Sequence, residues 1–366
     1  MAAAGDFYSL LNGAAQEFGF PLSGALDLDL SLETFHEHSQ RYASWIDSGF
    51  HGEMGYLERG KDRRLNPRLV FPEAQSMLCV AQPYGTRLSD VSEGRLQPRY
   101  ARYLSGKDYH LDIQERLEKV MNRVQENWST PLSWKVCVDT SAVLERSWAA
   151  LAGLGWIGKN TLLIHPKHGS YLFLGEVLIS EKTGRGPTPL PNFCGNCSRC
   201  LSACPTEAFV EPGRLNSKRC ISYWTLEKRG ELDSLLGEED RRKMGTWVAG
   251  CDICQEVCPF NMKPSREHPL NSSPGLVIDW AALLSEPESD YRLRTKNSAL
   301  DRVKPAQFRR NLAIALANAV RESEPEARQE LIQSLRSQVE SAAEVDADLV
   351  ARTEWRRCLE TFRAFS

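Results

Sequence analysis

No stretch of the 366 residues approaches the run of about eighteen apolar residues that a membrane-spanning helix needs, so no membrane partner is expected. The N-terminus, MAAAGDFYSLLNGAAQEFG, lacks a basic segment ahead of its apolar residues, which argues against a secretory signal. Arg63-Arg64 lies too deep in the chain to act as a twin-arginine leader. Charge excess is missing too. Lys and Arg number 45 against 48 Asp and Glu, a net −3, so no global basic field advertises a nucleic acid. Hydrophobic content of 42% and charged content of 25% are ordinary for a globular protein, and the length suggests two or three domains. A cytoplasmic, monomeric protein is expected.

Cysteine, by contrast, is plentiful and patterned. Eight of the eleven fall in mid-chain, as Cys194-x2-Cys197-x2-Cys200-x3-Cys204-Pro205 and Cys251-x2-Cys254-x3-Cys258-Pro259, with Cys220 between the runs. The first run matches the bacterial two-cluster ferredoxin motif, whose fourth Cys ligates the other cluster. Crossing the ligands assigns Cys194, Cys197, Cys200 and Cys258 to one [4Fe–4S] cluster. Cys204, Cys220, Cys251 and Cys254 go to a second. Cys220 stands far upstream of Cys251, so residues 221–250 read as an insertion looping out between ligands. Paired CxxC motifs also build zinc sites, but eight cysteines, two Cys-Pro endings and no matching His favour iron–sulfur. Thiolates reserved for clusters fit a reducing compartment. Cys79 and Cys137, in apolar strands, and Cys358, in a helix, read as inert buried thiols.

Around that segment the pattern divides the chain into three: an α/β domain over 1–182, a ferredoxin-like two-cluster domain over 183–265 and a helical region over 266–366. Ser76–Ala81, Trp134–Val138 and Tyr171–Ile179 read as strands, with helices over Leu111–Trp128 and Ala142–Leu154 between them, which indicates a layered α/β sheet. Glu181–Pro191 reads as a linker. Near the C-terminus, Phe308, Leu312, Ala315, Leu316 and Ala319 share one helical face, and two further amphipathic helices suggest a HEAT-like module. From Arg292 to Arg310 seven basic residues (Arg292, Arg294, Lys296, Arg302, Lys304, Arg309, Arg310) stand against one acid, Asp301. Such a run is either a solvated face or a phosphate-contacting patch.

The densest motif ahead of the cysteines is Val138-Asp-Thr-Ser-Ala-Val-Leu-Glu-Arg146, continuing through Ala152-Gly-Leu-Gly-Trp-Ile-Gly-Lys-Asn160 to His165-Pro-Lys-His-Gly-Ser-Tyr171. Asp139 at a strand end is either a ligand-facing acid or the cap of a helix starting near Ala142. Gly153 to Gly158 spells G-x-G-x-x-G, but at the end of a helix rather than between strand and helix, so NAD is not expected. This stretch, together with Gly49-Phe-His-Gly-Glu-Met-Gly-Tyr56, Tyr100-Ala-Arg-Tyr103, Gly106-Lys-Asp-Tyr-His110 and Cys220-Ile-Ser-Tyr-Trp-Thr225, resembles epoxyqueuosine reductases.

The resemblance implies cobalamin beside two [4Fe–4S] clusters, and reduction of epoxyqueuosine at the wobble position of a tRNA anticodon. Removing the epoxide oxygen to leave an alkene consumes two electrons and two protons. It implies Asp139 as proton donor, most effective if burial raises its pKa, with Asp108 and His110 lining the cavity. Arg102, Lys159, Ser170 and Tyr171 match segments around the cobalamin. Ala101 occupies a segment where some relatives carry a Cys near the cobalt, so a Cys role there is excluded. An external low-potential donor of flavodoxin or ferredoxin type is implied. In that light Arg292, Arg294, Lys296, Arg309 and Arg310 become candidate tRNA contacts. The competing readings are a cobalamin-dependent reductive dehalogenase and a ferredoxin-type electron carrier.

Overall fold

The computed structural model describes residues 6–84, 97–262, 276 and 279–366. The expected boundary at 265/266 lies outside the described residues. Ten strands occur among them: β1 (Leu22–Asp27), β2 (Ser76–Pro83), β3 (Arg99–Tyr100), β4 (Trp134–Cys137), β5 (Trp156–Ile157), β6 (Leu163–Ile164), β7 (Leu172–Ile179), β8 (Phe209–Glu211), β9 (Arg214–Leu215) and β10 (Trp247–Ala249).

The main sheet has the order β1-β2-β7-β4. Every residue of β2 is buried, which is why its sequence reads as a continuous apolar run rather than an alternation. One face carries Leu78, Val80, Val177 and Ile179 against the Phe7–Glu17 and Tyr109–Glu126 helices. The other carries Met77, Cys79, Ala81 and Leu178 against the Leu28–Asp47 and Glu145–Leu151 helices. There Trp148 stacks on Phe35 with ring centroids 4.1 Å apart. The layers are those expected, but all pairings in this sheet are antiparallel, so it is not built from parallel crossovers. Strand β1 was not legible: it is short, and Gly24 interrupts it because a Cβ there would meet the Ala152 carbonyl oxygen at 2.2 Å.

The helix expected from Ala142 begins only at Glu145. Tight turns from Thr140 N–H to Val138 O and from Val143 N–H to Ser141 O occupy the intervening residues. After the helix, Gly153 at φ 85° turns the chain into the β5–β6 hairpin. The glycine run serves that packing, since a Cβ on Gly155 would sit 2.4 Å from the Ile164 carbonyl oxygen.

Residues 221–250 do not loop out. They form helices Ile221–Leu226 and Glu238–Lys243 and strand β10, with their own core of Ile221, Tyr223, Trp224, Leu232, Leu236, Met244 and Trp247 against Ile314. Strand β10 pairs in parallel with β3, tying this unit to the N-terminal layer. The approach is close: a Cβ on Gly250, at φ 69°, would lie 2.4 Å from Ala101 Cβ.

Three helices close the chain, Pro305–Glu322, Pro325–Val345 and Leu349–Ala364. The first is buried nearly all round, not on one face. Its Arg310, a candidate tRNA contact, is only 1% exposed. The guanidinium donates to the carbonyls of Trp224 (2.7 Å), Lys228 (3.1 Å) and Gly230 (2.6 Å). That residue is structural; the basic run had placed it on a surface that does not exist. Beside it Asn311 Nδ2 donates to Thr225 O and Val248 O, both at 2.9 Å. Replacing Asn311 by Leu takes the side-chain donor from Val248 O and leaves Thr225 O with Gln307 Nε2 alone, at 3.0 Å. Thermal or urea unfolding should show a loss of about 1–3 kcal/mol, and a loss under about 0.5 kcal/mol would refute this anchoring role.

Candidate active site and cysteine relay

Asp139 lies just past the end of edge strand β4, in the left-handed region at φ 50°. Its side chain reaches not a helix terminus but His110: Oδ2 is 3.0 Å from Nε2. The capping alternative therefore falls. His110 is the second residue of the Tyr109–Glu126 helix, and Asp108 caps that helix by accepting from the His110 N–H. The same Asp108 oxygen lies 2.6 Å from His110 Nδ1. Asp108, His110 and Asp139 thus form one hydrogen-bonded line, anchored at one end by a helix cap and at the other by a strand end.

Electrostatics along the line differ from expectation. Burial works to raise the Asp139 pKa, but the His110 hydrogen bond and charge, with Arg302 and Arg64 nearby, outweigh it and hold the carboxyl below its usual value. Burial works to lower that of His110, and here the two carboxylates win, so the imidazole keeps its proton above the ordinary 6.5. The proton of the pair accordingly rests on His110, and Asp139 accepts from it. Tyr56, Tyr103, Arg302 and Glu227 complete the polar surroundings. Arg302 bonds Glu227, so this member of the basic run faces the site. None of the four was singled out from sequence, although Tyr56 and Tyr103 ended two of the segments that carried the resemblance.

The eight cysteines come together across their two sequence runs. Cys258 has Cys194 and Cys197 as electrostatic neighbours, and Cys200 has Cys194, Cys258 and Cys197. Cys220 neighbours Cys204, Cys251 neighbours Cys220 and Cys254, and Cys254 neighbours Cys220, Cys204 and Cys200. Cys194, Cys197, Cys200 and Cys258 thus lie together, as do Cys204, Cys220, Cys251 and Cys254, and Cys254 beside Cys200 makes the two groups adjoin. Trp156 Nε1 donates to Cys194 Sγ at 3.4 Å, and Phe193 and Phe260 pack edge-on against the indole.

The cobalamin candidates separate. Lys159 Nζ donates to the carbonyls of Gly195 (2.7 Å) and Cys197 (3.0 Å), so it braces the first cysteine loop. Ser170 is buried, its Oγ accepting from Gln255 Nε2 (3.1 Å) and Asn261 Nδ2 (2.9 Å), and joins β7 to the cluster segment. Arg102 lies over the Tyr171 ring at 4.6 Å, its backbone N–H donating to Asp252. Arg102 Nε and the Tyr171 hydroxyl are buried without partners, as groups awaiting a polar ligand would be. Of the remaining basic candidates, Arg294 donates two hydrogen bonds to the Glu286 carboxylate and Arg309 is committed to Asp346 and Glu288. Arg292, paired with Glu288, and Lys296 are exposed. Only these two of the five remain on an open surface.

Eight thiols drawn together, seven of them half-buried, beside a hydrogen-bonded carboxylate–imidazole line point to the class, an iron–sulfur oxidoreductase. Residues 193–261 match the family model described as 4Fe-4S double cluster binding domain, and residues 64–140 that described as Epoxyqueuosine reductase QueG, DUF1730. The chain is 36% identical to the epoxyqueuosine reductase of Pseudomonas aeruginosa over 310 residues, 83% of each protein. It is 39% identical to that of Synechocystis sp. over 288 residues, covering 75% of this chain and 94% of the relative. Among solved structures it is similar to epoxyqueuosine reductase from Bacillus subtilis, solved with its aspartate catalytic loop swung out of the active site. There the TM-score is 0.75 at 26% identity, over 97% of this chain and 99% of that one. A second, an epoxyqueuosine reductase with an epoxyqueuosine-modified tRNA stem loop, has a TM-score of 0.71 at 27% identity, over 98% and 100%. The chain belongs to the epoxyqueuosine reductase family.

The His110 geometry fixes a pH dependence. Turnover that needs the proton on His110 declines as pH rises through its elevated pKa. Asp108→Asn removes one of the two supporting carboxylates, so in a pH–rate profile the alkaline decline should move to lower pH. An unmoved profile would contradict the assignment.

Proposed function

We propose that the chain reduces epoxyqueuosine to queuosine in the anticodon of a tRNA, with Asp139 delivering the proton to the departing oxygen. The observation that carries the reading is the Asp108–His110–Asp139 line, which ends in a half-exposed carboxylate backed by a protonated imidazole. Epoxide removal takes two electrons and two protons, with oxygen leaving as water and an alkene left behind. His110 replaces each proton that Asp139 gives up, and Asp108 fixes the ring by accepting the Nδ1–H. Tyr56, Tyr103 and Arg302 hold the polar side of the cavity.

Cys194, Cys197, Cys200 and Cys258 hold one [4Fe–4S] cluster, and Cys204, Cys220, Cys251 and Cys254 the other. Arg102 and Tyr171 are the residues placed to hold cobalamin, with Ser170 positioning Tyr171 from the neighbouring backbone. Bound cobalamin supplies a strongly reducing cobalt centre that takes electrons one at a time. Arg292 and Lys296 are the exposed cations suited to tRNA phosphates. An external low-potential protein feeds the clusters, and the chain works as a cytoplasmic monomer. No described helix is long and apolar enough to cross a membrane.

The direct experiment is anaerobic conversion of epoxyqueuosine to queuosine in tRNA, with and without added cobalamin. Asp139→Asn should retain its iron and its corrin while losing at least about a hundredfold in rate; normal turnover by that variant excludes Asp139 as the donor. Cys258→Ser should deplete the cluster of the first cysteine run, seen by iron counting and electron paramagnetic resonance. Loss of the other cluster instead would overturn the crossed assignment. Exchanging Arg292 and Lys296 for Ala should weaken tRNA binding and flatten its salt dependence by about one to two counterions; an unchanged slope would remove them from the interface.

A further inference from the structure

Behind Asp139 the interior holds two carboxyl groups with no cation between them. Glu145 opens the Glu145–Leu151 helix, and its Oε1 accepts the Asp139 backbone N–H at 2.5 Å. Glu176 sits in β7, at 0% exposure, and neither of its oxygens meets a hydrogen-bond donor. Its cross-strand neighbours are Cys79 on β2 and Cys137 on β4, both buried thiols and weak donors at best. The Glu145 and Glu176 carboxyls meet each other. The other ionisable groups around them are Asp139, His110 and Arg146, and the Arg146 guanidinium turns away to donate to Thr161 O at 2.6 Å.

Two carboxylates in contact inside a protein cannot both ionise without a donor or cation. One shared proton converts the repulsion into an acid–carboxylate hydrogen bond and satisfies Glu176, which is otherwise orphaned. We propose that Glu145 and Glu176 share one buried proton, and that this pair is the latch that holds the Asp139 loop in its left-handed turn facing His110. Neither residue touches the Asp139 side chain, so both are positioning residues. The effect on turnover rests on Asp139 being the proton donor; the shared proton does not.

Burial and the neighbouring Asp139 push Glu145 up to about 7, and burial with the Glu145 charge pushes Glu176 upward as well. A carboxyl raised in the folded state contributes stability that is present at low pH and lost as pH rises through its folded value. The Glu145 charge raises Glu176 and not the reverse, so the proton lost near pH 7 is the one on Glu145. The one-proton latch is therefore the state on the alkaline side of about pH 7, loosening only as pH rises through the higher Glu176 value.

The test uses infrared difference spectra of the full-length holoprotein between about pH 6 and pH 8, the window around the raised carboxyl value. The protein should show a protonated-carboxyl carbonyl band that persists at the higher pH, and Glu176→Gln should lack that band at the same pH, because the amide supplies the donor permanently. In parallel, Glu145→Ala should lower kcat about tenfold with KM unchanged, by misplacing the acid. Glu145→Gln, whose amide oxygen still accepts the Asp139 N–H, should recover most of it. No band in the unmodified protein at the higher pH, or a band that survives Glu176→Gln there, overturns the shared proton. A band present with kcat indifferent to Glu145→Ala overturns the latch. Failure of the Asp139 reading shows separately, as full turnover by Asp139→Asn.

Discussion

The 3.0 Å hydrogen bond between His110 and Asp139 is the contact on which the catalytic half of the molecule turns. It joins His110, in the first turn of the Tyr109–Glu126 helix, to Asp139, just past the end of edge strand β4. Asp108 holds the imidazole through the same oxygen that caps the helix, so one side chain both starts the helix and orients the His110 ring. The sheet order places this line at one end of β4, while the register between β2, β7 and β4 puts Glu176 behind it. The Asp139 carboxyl held this way has a lowered pKa, because the imidazole it accepts from outweighs its burial.

The electron-carrying half is mounted on the same framework instead of being appended to it. Strand β3, directly before the Arg102 segment, pairs with β10, directly before Cys251. Ser170, just before β7, is bonded to Gln255 and Asn261 among the second cysteine run. Gly169 permits that approach, since a Cβ there would sit 1.9 Å from Asn261 Oδ1. The C-terminal Pro305–Glu322 helix then holds the 221–250 unit by its backbone carbonyls through Arg310 and Asn311. The cysteine segment and the N-terminal layer are thereby fixed relative to each other by buried polar bonds, which specify one geometry more strictly than apolar packing alone.

The cysteine spacing was fully legible because cluster ligation imposes short, fixed separations along the chain. Strands β2, β4 and β7 were legible from their apolar runs, and Asp139 from its place after one of them. Much of the rest needed the third dimension. Asp139 and His110 are 29 positions apart, and nothing local announces their contact. Glu176 lay inside an apolar strand and was read simply as part of it, since periodicity does not reveal that a carboxyl faces inward. Arg310 failed for the opposite reason: a run of positive charge suggests a surface, but the helix that bears it is enclosed on nearly every side. Lys159 looked like a ligand contact and is a brace for the first cysteine loop.

The central claim is that the proton for the departing oxygen passes from His110 through Asp139. It is tested most directly by single-turnover reduction of an epoxyqueuosine-bearing tRNA stem loop by pre-reduced protein in H2O and D2O, with His110→Asn alongside. The account predicts a normal solvent isotope effect on the chemical step and a large slowing in the variant, with clusters and substrate binding intact. A rate indifferent both to deuterium and to the loss of His110 would contradict it.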